Sequence, residues 1–270
     1  MPSHLNGAGP ANMASAPVSL ATSEPAPVSE GRDAPPGRGL PHRSELPLAT
    51  RTVVDTSAAF DIALRTFTAS VVAASAALLM LNPRFARRER NHLGFYAELA
   101  SHHDASLSFP APEGVPEVRR HKAGLLSFRF SDGHVDAVRF DSPFQAVNPA
   151  MRKRYAGFKG NEVAHAQHWR HHAGPRPTIC VIHGFMGSTY LLNGQFFSLP
   201  WFFREGFDVL LFTLPFHGPR RERGSPYSGY GYFAHGMSVL NEAMAHAVHD
   251  FRMFVNYLES QGVPQVGVTG

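Results

Sequence analysis

Two short turns hold residue types that could do chemistry: His183-Gly184-Phe185-Met186-Gly187 and Leu214-Pro215-Phe216-His217-Gly218. Each follows an apolar run. In the first, a pair of glycines lets the backbone bend sharply and aim the N–H of Phe185, or of Met186 beside it, at one point above a strand end. A donor so placed holds a developing oxyanion; a plain strand-to-helix turn would need the same glycines. In the second turn, His217 either faces a pocket or hydrogen-bonds its own backbone neighbours, as turn histidines commonly do. Tyr227, Tyr230, Tyr232 and Phe233 follow among glycines. Tyr230 and Tyr232 are candidates for the wall of an apolar pocket, and core packing accounts for them equally well.

Other chemistries fit less well. The 16 histidines include His165, His168, His171 and His172, but on a strand His165 and His168 face opposite sides, so no metal site is expected. The basic run Arg220-Arg221-Glu222-Arg223 follows Pro219, is broken by a glutamate and lacks the G-K-[ST] of a phosphate loop, which predicts a surface loop. No interleaving of basic and aromatic residues suggests RNA, and a formal charge of +4 over 270 residues does not argue for nucleic acid. The single cysteine, Cys180, stands in an apolar run and reads as a small buried hydrophobe.

The elements that must position these turns alternate. Residues 178–182 are an apolar run rich in β-branched residues, as a strand covered on both faces requires, residues 207–214 form the next buried strand, and Val266-Gly267-Val268-Thr269-Gly270 begins another. A helical segment closing at Gly206 separates the first two. A second helix lies between Val239 and Leu258, with apolar residues at 244, 248, 251, 254, 255 and 258. Strand, helix, strand, helix, strand predicts an α/β fold with a doubly wound, mostly parallel sheet. Ahead of it, residues 125–130 and 134–140 read as a β-hairpin around Ser131-Asp132-Gly133, and residues 162–169 as a weaker strand.

At these turns the chain resembles the α/β-hydrolase superfamily. HGFMG is similar to its oxyanion-hole loop, and LPFHGPR is similar in position to the turn after its fourth strand. Val266 to Gly270 resembles the strand leading into the nucleophile elbow G-x-S-x-G, with Gly270 as the first glycine. The resemblance covers residues from about Leu125 to Gly270, the front part of that fold. It implies that Phe185 and Met186 supply oxyanion N–H groups within a loop of His183, Gly184 and Gly187. It also implies cofactor-independent hydrolysis of an ester, thioester or amide, with a small-molecule or lipid acyl substrate. The nucleophile would stand two residues past Gly270, with the acid and histidine later, so the 270 residues are expected to be inactive and to fold poorly alone. The long apolar N-terminal helix with HGFMG and LPFHG is similar to the poorly characterised group of abhydrolase domain-containing protein 18. The alternative is a non-catalytic hydrolase-like or truncated protein that serves as a membrane or protein contact.

The N-terminal third stands outside the resemblance. The first 50 residues hold nine prolines and no Phe, Tyr or Trp, a composition that predicts disorder. They lack the basic start and apolar middle of a secretory signal, so a cytoplasmic protein is expected. Asp55, Thr56 or Ser57 is read as the cap of a long helix ending at Asn82-Pro83. No charged residue lies between Arg65 and Arg84, and Arg87, Arg88 and Arg90 follow. Two readings stand: a helix laid on the protein's own core, or membrane contact through residues 57–90. The expected organisation is a tail (1–54), a helical extension (55–120) and a partial hydrolase domain (121–270).

Overall fold

The structure, a computed structural model, describes residues 47–124, 127–184, 187 and 189–270, the side chains at 75, 76 and 78–80 excepted. The predicted disordered tail, the hairpin residues Leu125 and Leu126, and the oxyanion candidates Phe185 and Met186 lie outside the described residues, the tail except for its last eight positions. In chain order the elements are α1 (Leu48–Met80), α2 (Pro83–Ser101), the single turn α3 (Ala105–Ser108), β1 (Arg119–Lys122) and β2 (Gly133–Asp141). Next come α4 (Arg152–Tyr155), β3 (Val163–His171), β4 (Thr178–Ile182), α5 (Tyr190–Phe196), α6 (Leu199–Arg204) and β5 (Asp208–Thr213). The chain closes with α7 (Tyr230–Ala234), α8 (Met237–Ser260) and β6 (Val266–Thr269).

The fold is mixed α/β around one open sheet of six strands, in the order β1-β2-β3-β5-β4-β6. β4 pairs in parallel with β5 and β6, while β1-β2, β2-β3 and β3-β5 are antiparallel. The mostly parallel sheet expected from the sequence is therefore corrected to a mixed one. The reason is connection length: residues 172–177 are too few to hold the crossover that a parallel β3 and β4 would need. The hairpin is corrected too. β2 pairs with Arg119–Lys122 on its outer side, and Phe128 and Phe130 instead pack their rings on Trp169 and Phe203. β1 is charged and exposed along its length, a composition that discourages pairing with another chain at a sheet edge.

Side chains of the central strands alternate between two apolar layers. Leu210 and Phe212 of β5, with Cys180 of β4 and Val138 of β2, meet Phe254, Tyr257 and Leu258 of α8. Val209 and Leu211, with Val181 and Trp169, meet Leu199 and Phe203 of α6 on the opposite face. All six residues of β5 are buried, which accounts for the apolar run Val209–Phe212 at its centre.

α8 buries a face that apolar spacing alone did not select. Glu242, His246 and Asp250 lie on it at i, i+4 and i+8, beside Ala243, Ala247 and Phe254. Each polar group there is matched. Glu242 accepts the Tyr96 hydroxyl and the N–H groups of Val147 and Asn148. Glu89 of α2 accepts the Ser238 N–H and hydroxyl at the start of α8, where Gly236 offers no capping side chain. A carboxylate there also complements the helix dipole.

α1 begins at Leu48, earlier than the expected cap, and ends before Asn82, whose Oδ1 accepts the N–H groups of Arg84 and Phe85 and so starts α2. The core-docked reading of this helix is corrected. Phe60, Ile62, Leu64 and Phe67 are all more than half exposed. The described residues before Ala59 belong to a unit distinct from residues 59–270.

Candidate active site at the carboxyl ends of the parallel strands

From β4 the chain passes through α5 and α6 to β5 on one side, then returns through α7 and α8 to β6 on the other. The two connections part at β4, and in open α/β sheets that divergence leaves a crevice beyond the strand ends. His183, Gly184 and Gly187 follow β4, Phe216, His217 and Gly218 follow β5, and Gly270 follows β6. A Cβ on Gly270 would stand 2.7 Å from the Ile182 carbonyl oxygen, so the end of β6 lies directly against the end of β4.

His183 ties the first two ends together. Its Nδ1–H donates to the Gly184 carbonyl at 2.9 Å, and its Nε2 accepts the Leu214 N–H at 3.2 Å. Only the neutral imidazole can make both bonds, and burial depresses its pKa accordingly. With both nitrogens committed, His183 is a brace between turns and has no lone pair left for general-base work. Gly187 donates its N–H to the Gly184 carbonyl at 3.1 Å. A Cβ at Gly187 would fall 2.3 Å from His183 Nδ1. Gly187→Ala is therefore expected to displace the imidazole and lower stability by about 1–3 kcal/mol, read as a lower melting temperature, because the surrounding atoms cannot yield without breaking the brace.

The second turn is strained. Phe216 is buried at φ 60°, a left-handed conformation costly for a bulky residue, and it is held there by its N–H to Asn161 Oδ1 at 2.8 Å and by the Gly229 N–H to its carbonyl at 2.9 Å. Its ring occupies the space above Gly231, where a Cβ would approach to 2.1 Å. His217 is a buried turn histidine. Its Nδ1–H donates to the Pro215 carbonyl at 2.8 Å, its ring lies 4.9 Å from that of His183, and burial with the neighbouring His183 lowers its pKa to about 4. Ser228 links the two turns, donating to the Gly187 carbonyl at 2.5 Å and accepting the Gly218 N–H at 3.1 Å. Of the two tyrosine candidates, Tyr232 is buried against Phe216 and His217, whereas Tyr230 is half-buried and packs edge-on to Tyr227.

Below the turns lies a buried polar group that sequence reasoning missed. Arg220, placed on a surface loop by its basic neighbourhood, is fully buried; this corrects the loop reading. It donates to Asp250 Oδ2 at 2.7 Å and to the Thr213 and Asn161 carbonyls. His246 Nε2–H faces Asp250 Oδ2 at 3.0 Å, while Nδ1 accepts the Tyr155 hydroxyl at 3.1 Å. Ser142 donates to Asp250 Oδ1 at 2.5 Å. Burial alone would raise the Asp250 carboxyl, but His246 and Arg220 outweigh it and hold the group well below the usual carboxylate range. Serine, histidine and aspartate are thus in contact without forming a triad. The serine proton goes to the carboxylate, both groups share Nε2, and no substrate reaches an aspartate and an arginine with no exposed surface. The signal in the sequence was the i, i+4, i+8 spacing of Glu242, His246 and Asp250.

Among the described residues, no three His, Cys, Asp or Glu side chains converge as metal ligands. The Cys180 thiol is buried in the apolar layer, which pushes its pKa up to about 12 and leaves it unreactive.

The structure defines a mixed α/β protein in which glycine-bearing turns follow the carboxyl ends of three adjoining parallel strands. No protein-family model matches the chain, and no curated protein matches it. Among solved structures, acetyl xylan esterase 1 from Thermoanaerobacterium sp. JW/SL YS485 is similar over 57% of this chain and 44% of its own, with 14% identity and a TM-score of 0.35. The chain spans less than half of that esterase, and an overlap this loose carries no argument about its residues or activity.

Proposed function

We propose that the chain supplies the oxyanion-loop side of an α/β-hydrolase-type site that cleaves an ester, thioester or amide, with a lipid acyl group as the favoured substrate. The observation that supports this reading is the convergence of three glycine-bearing strand ends, HG184, HG218 and Gly270, braced by His183. An oxyanion hole needs donors fixed in advance, since donors that must reorganise during the reaction lose much of their effect. A strained second turn and the His183 brace between the two turns supply that rigidity. Phe185 and Met186 are the proposed donors, His183, Gly184 and Gly187 shape their loop, and Gly270 opens the nucleophile elbow. Within the superfamily, the group of abhydrolase domain-containing protein 18 remains the narrower reading, carried by HGFMG and LPFHG.

Labelling with a fluorophosphonate probe tests this. A chain continuing past Gly270 as x-S-x-G is expected to be labelled at that serine, and the 270-residue chain is expected to remain unlabelled. In the longer chain, Phe185→Pro should lower turnover of a p-nitrophenyl ester about 10² to 10³-fold by removing one donor. Labelling of the 270-residue chain would place the nucleophile among its own serines and overturn the reading.

A further inference from the structure

We propose that α1 inserts into a lipid bilayer and that Arg84, Arg87 and Arg88, with Asn91, bind the phosphates of anionic lipids where the helix leaves it. The argument starts with charge. Asp61 and Arg65 pair with each other at 2.9 Å, and from Thr66 to Pro83 there are 18 residues without a charged side chain. Of these, Thr66–Met80 belong to α1 and as helix span about 22 Å, most of the roughly 30 Å of a hydrocarbon core. Over Leu48–Ala74, a stretch that also carries Arg51, Asp55, Asp61 and Arg65, α1 is apolar enough to cross a membrane, with mean hydropathy 1.2, and none of that stretch is buried among the described residues. A helix this apolar and this exposed requires cover.

The arginines say what the cover is. Asn82 and Pro83 end α1 and start α2 at once, so the arginines follow the apolar stretch within one turn. Arg84, Arg87, Arg88 and Asn91 are spaced i, i+3, i+4 and i+7 and line one cleft of about 480 Å³. The opposite side of α2 is committed to the core: Glu89 binds Arg154 and Ser238, and Tyr96 binds Glu242. Among the described residues no carboxylate pairs with the three arginines; Arg88 only overlies the Phe85 ring at 5.8 Å. Guanidinium groups match phosphate oxygens in two-pronged geometry. A protein partner or a second copy would explain the apolar helix, but neither calls for a cationic stripe at its end.

This inference stands apart from the hydrolase reading and is tested without any turnover. The full 270-residue chain is floated with vesicles of phosphatidylcholine alone or mixed with phosphatidylglycerol, at low and at 1 M salt. The expected result is partition into the mixed vesicles that is only partly reversed by salt. The triple variant Arg84→Gln, Arg87→Gln, Arg88→Gln should bind them on the order of 100-fold more weakly, from about fivefold per arginine. Phe67→Asp with Ala74→Asp, both at exposed positions of α1, should weaken binding by a similar factor. All variants should melt as the parent does, because neither set touches the core. Three results would overturn the proposal: no flotation with either vesicle, equal flotation with both and no effect of the glutamines, or a dimer without lipid that the aspartate variant disperses.

Discussion

Asp250→Asn is expected to lower the stability of the chain by about 3–5 kcal/mol, roughly a fifth or more of what a typical domain possesses. The substitution keeps shape and removes one charge. Arg220, with no exposed surface, would then be a buried cation facing only neutral acceptors, the Thr213 and Asn161 carbonyls and the new amide oxygen. Removing one member of such a pair costs more than the pair itself contributes, since the remaining ion has already lost its water. Arg220→Met in the same background should return part of the loss, with a coupling energy of about 2–3 kcal/mol in a double-mutant cycle followed by urea unfolding. The control is Asp61→Asn, which breaks the solvent-exposed pair with Arg65 on α1 and should leave the melt unmoved. A D250N chain as stable as its parent would show that the Arg220 to Asp250 contact is not what holds α8 against the turn after β5.

The same cluster marks the limit of what the sequence discloses. β4 and β5 were legible because a strand covered on both faces is largely apolar, β6 was legible from its valines although it is largely exposed, and the glycine turns were legible because few residues can follow such strands in a sharp bend. Their two histidines were visible as residues, but not as braces: His183 bonds to Leu214, 31 positions away, and spacing says nothing about that distance. The buried face of α8 was misread because apolar periodicity treats Glu242, His246 and Asp250 as solvent-facing. Their partners are remote, with Tyr96 146 positions from Glu242 and Ser142 108 from Asp250. β1 was missed for a related reason, since Arg119 to Lys122 shows no alternation and is a strand only because β2 offers a free edge. Tertiary pairing set these elements, and local pattern had no record of it.

Acidification from pH 7 to pH 5 is expected to cost several kcal/mol. His168 and His217 are both 1% exposed, and burial lowers their pKa values to about 3 and about 4. A depressed folded pKa means that the unfolded chain binds the proton first. The stabilisation is complete above the ordinary histidine value of about 6.5 and is lost as pH falls through it towards 4 and 3. Near pH 5 the unfolded chain holds about two more protons from this pair, a slope of about 2.7 kcal/mol per pH unit. His183 and His246, also shifted downward by burial, steepen it. Asp250 contributes only further down, as its carboxylate is held below the usual range. Urea unfolding at half-unit steps of pH should therefore reveal a steep limb, and His217→Asn, whose amide can still donate to the Pro215 carbonyl, should reduce it by about one proton. Stability that stays flat between pH 7 and 5 would mean that these imidazoles are reached by water. At His183 protonation also has a local effect: a proton on Nε2 turns the acceptor of the Leu214 N–H into a second donor. Amide exchange at Leu214 is then expected to accelerate at a higher pH than exchange in β5, and the turns after β4 and β5 should separate before the sheet opens.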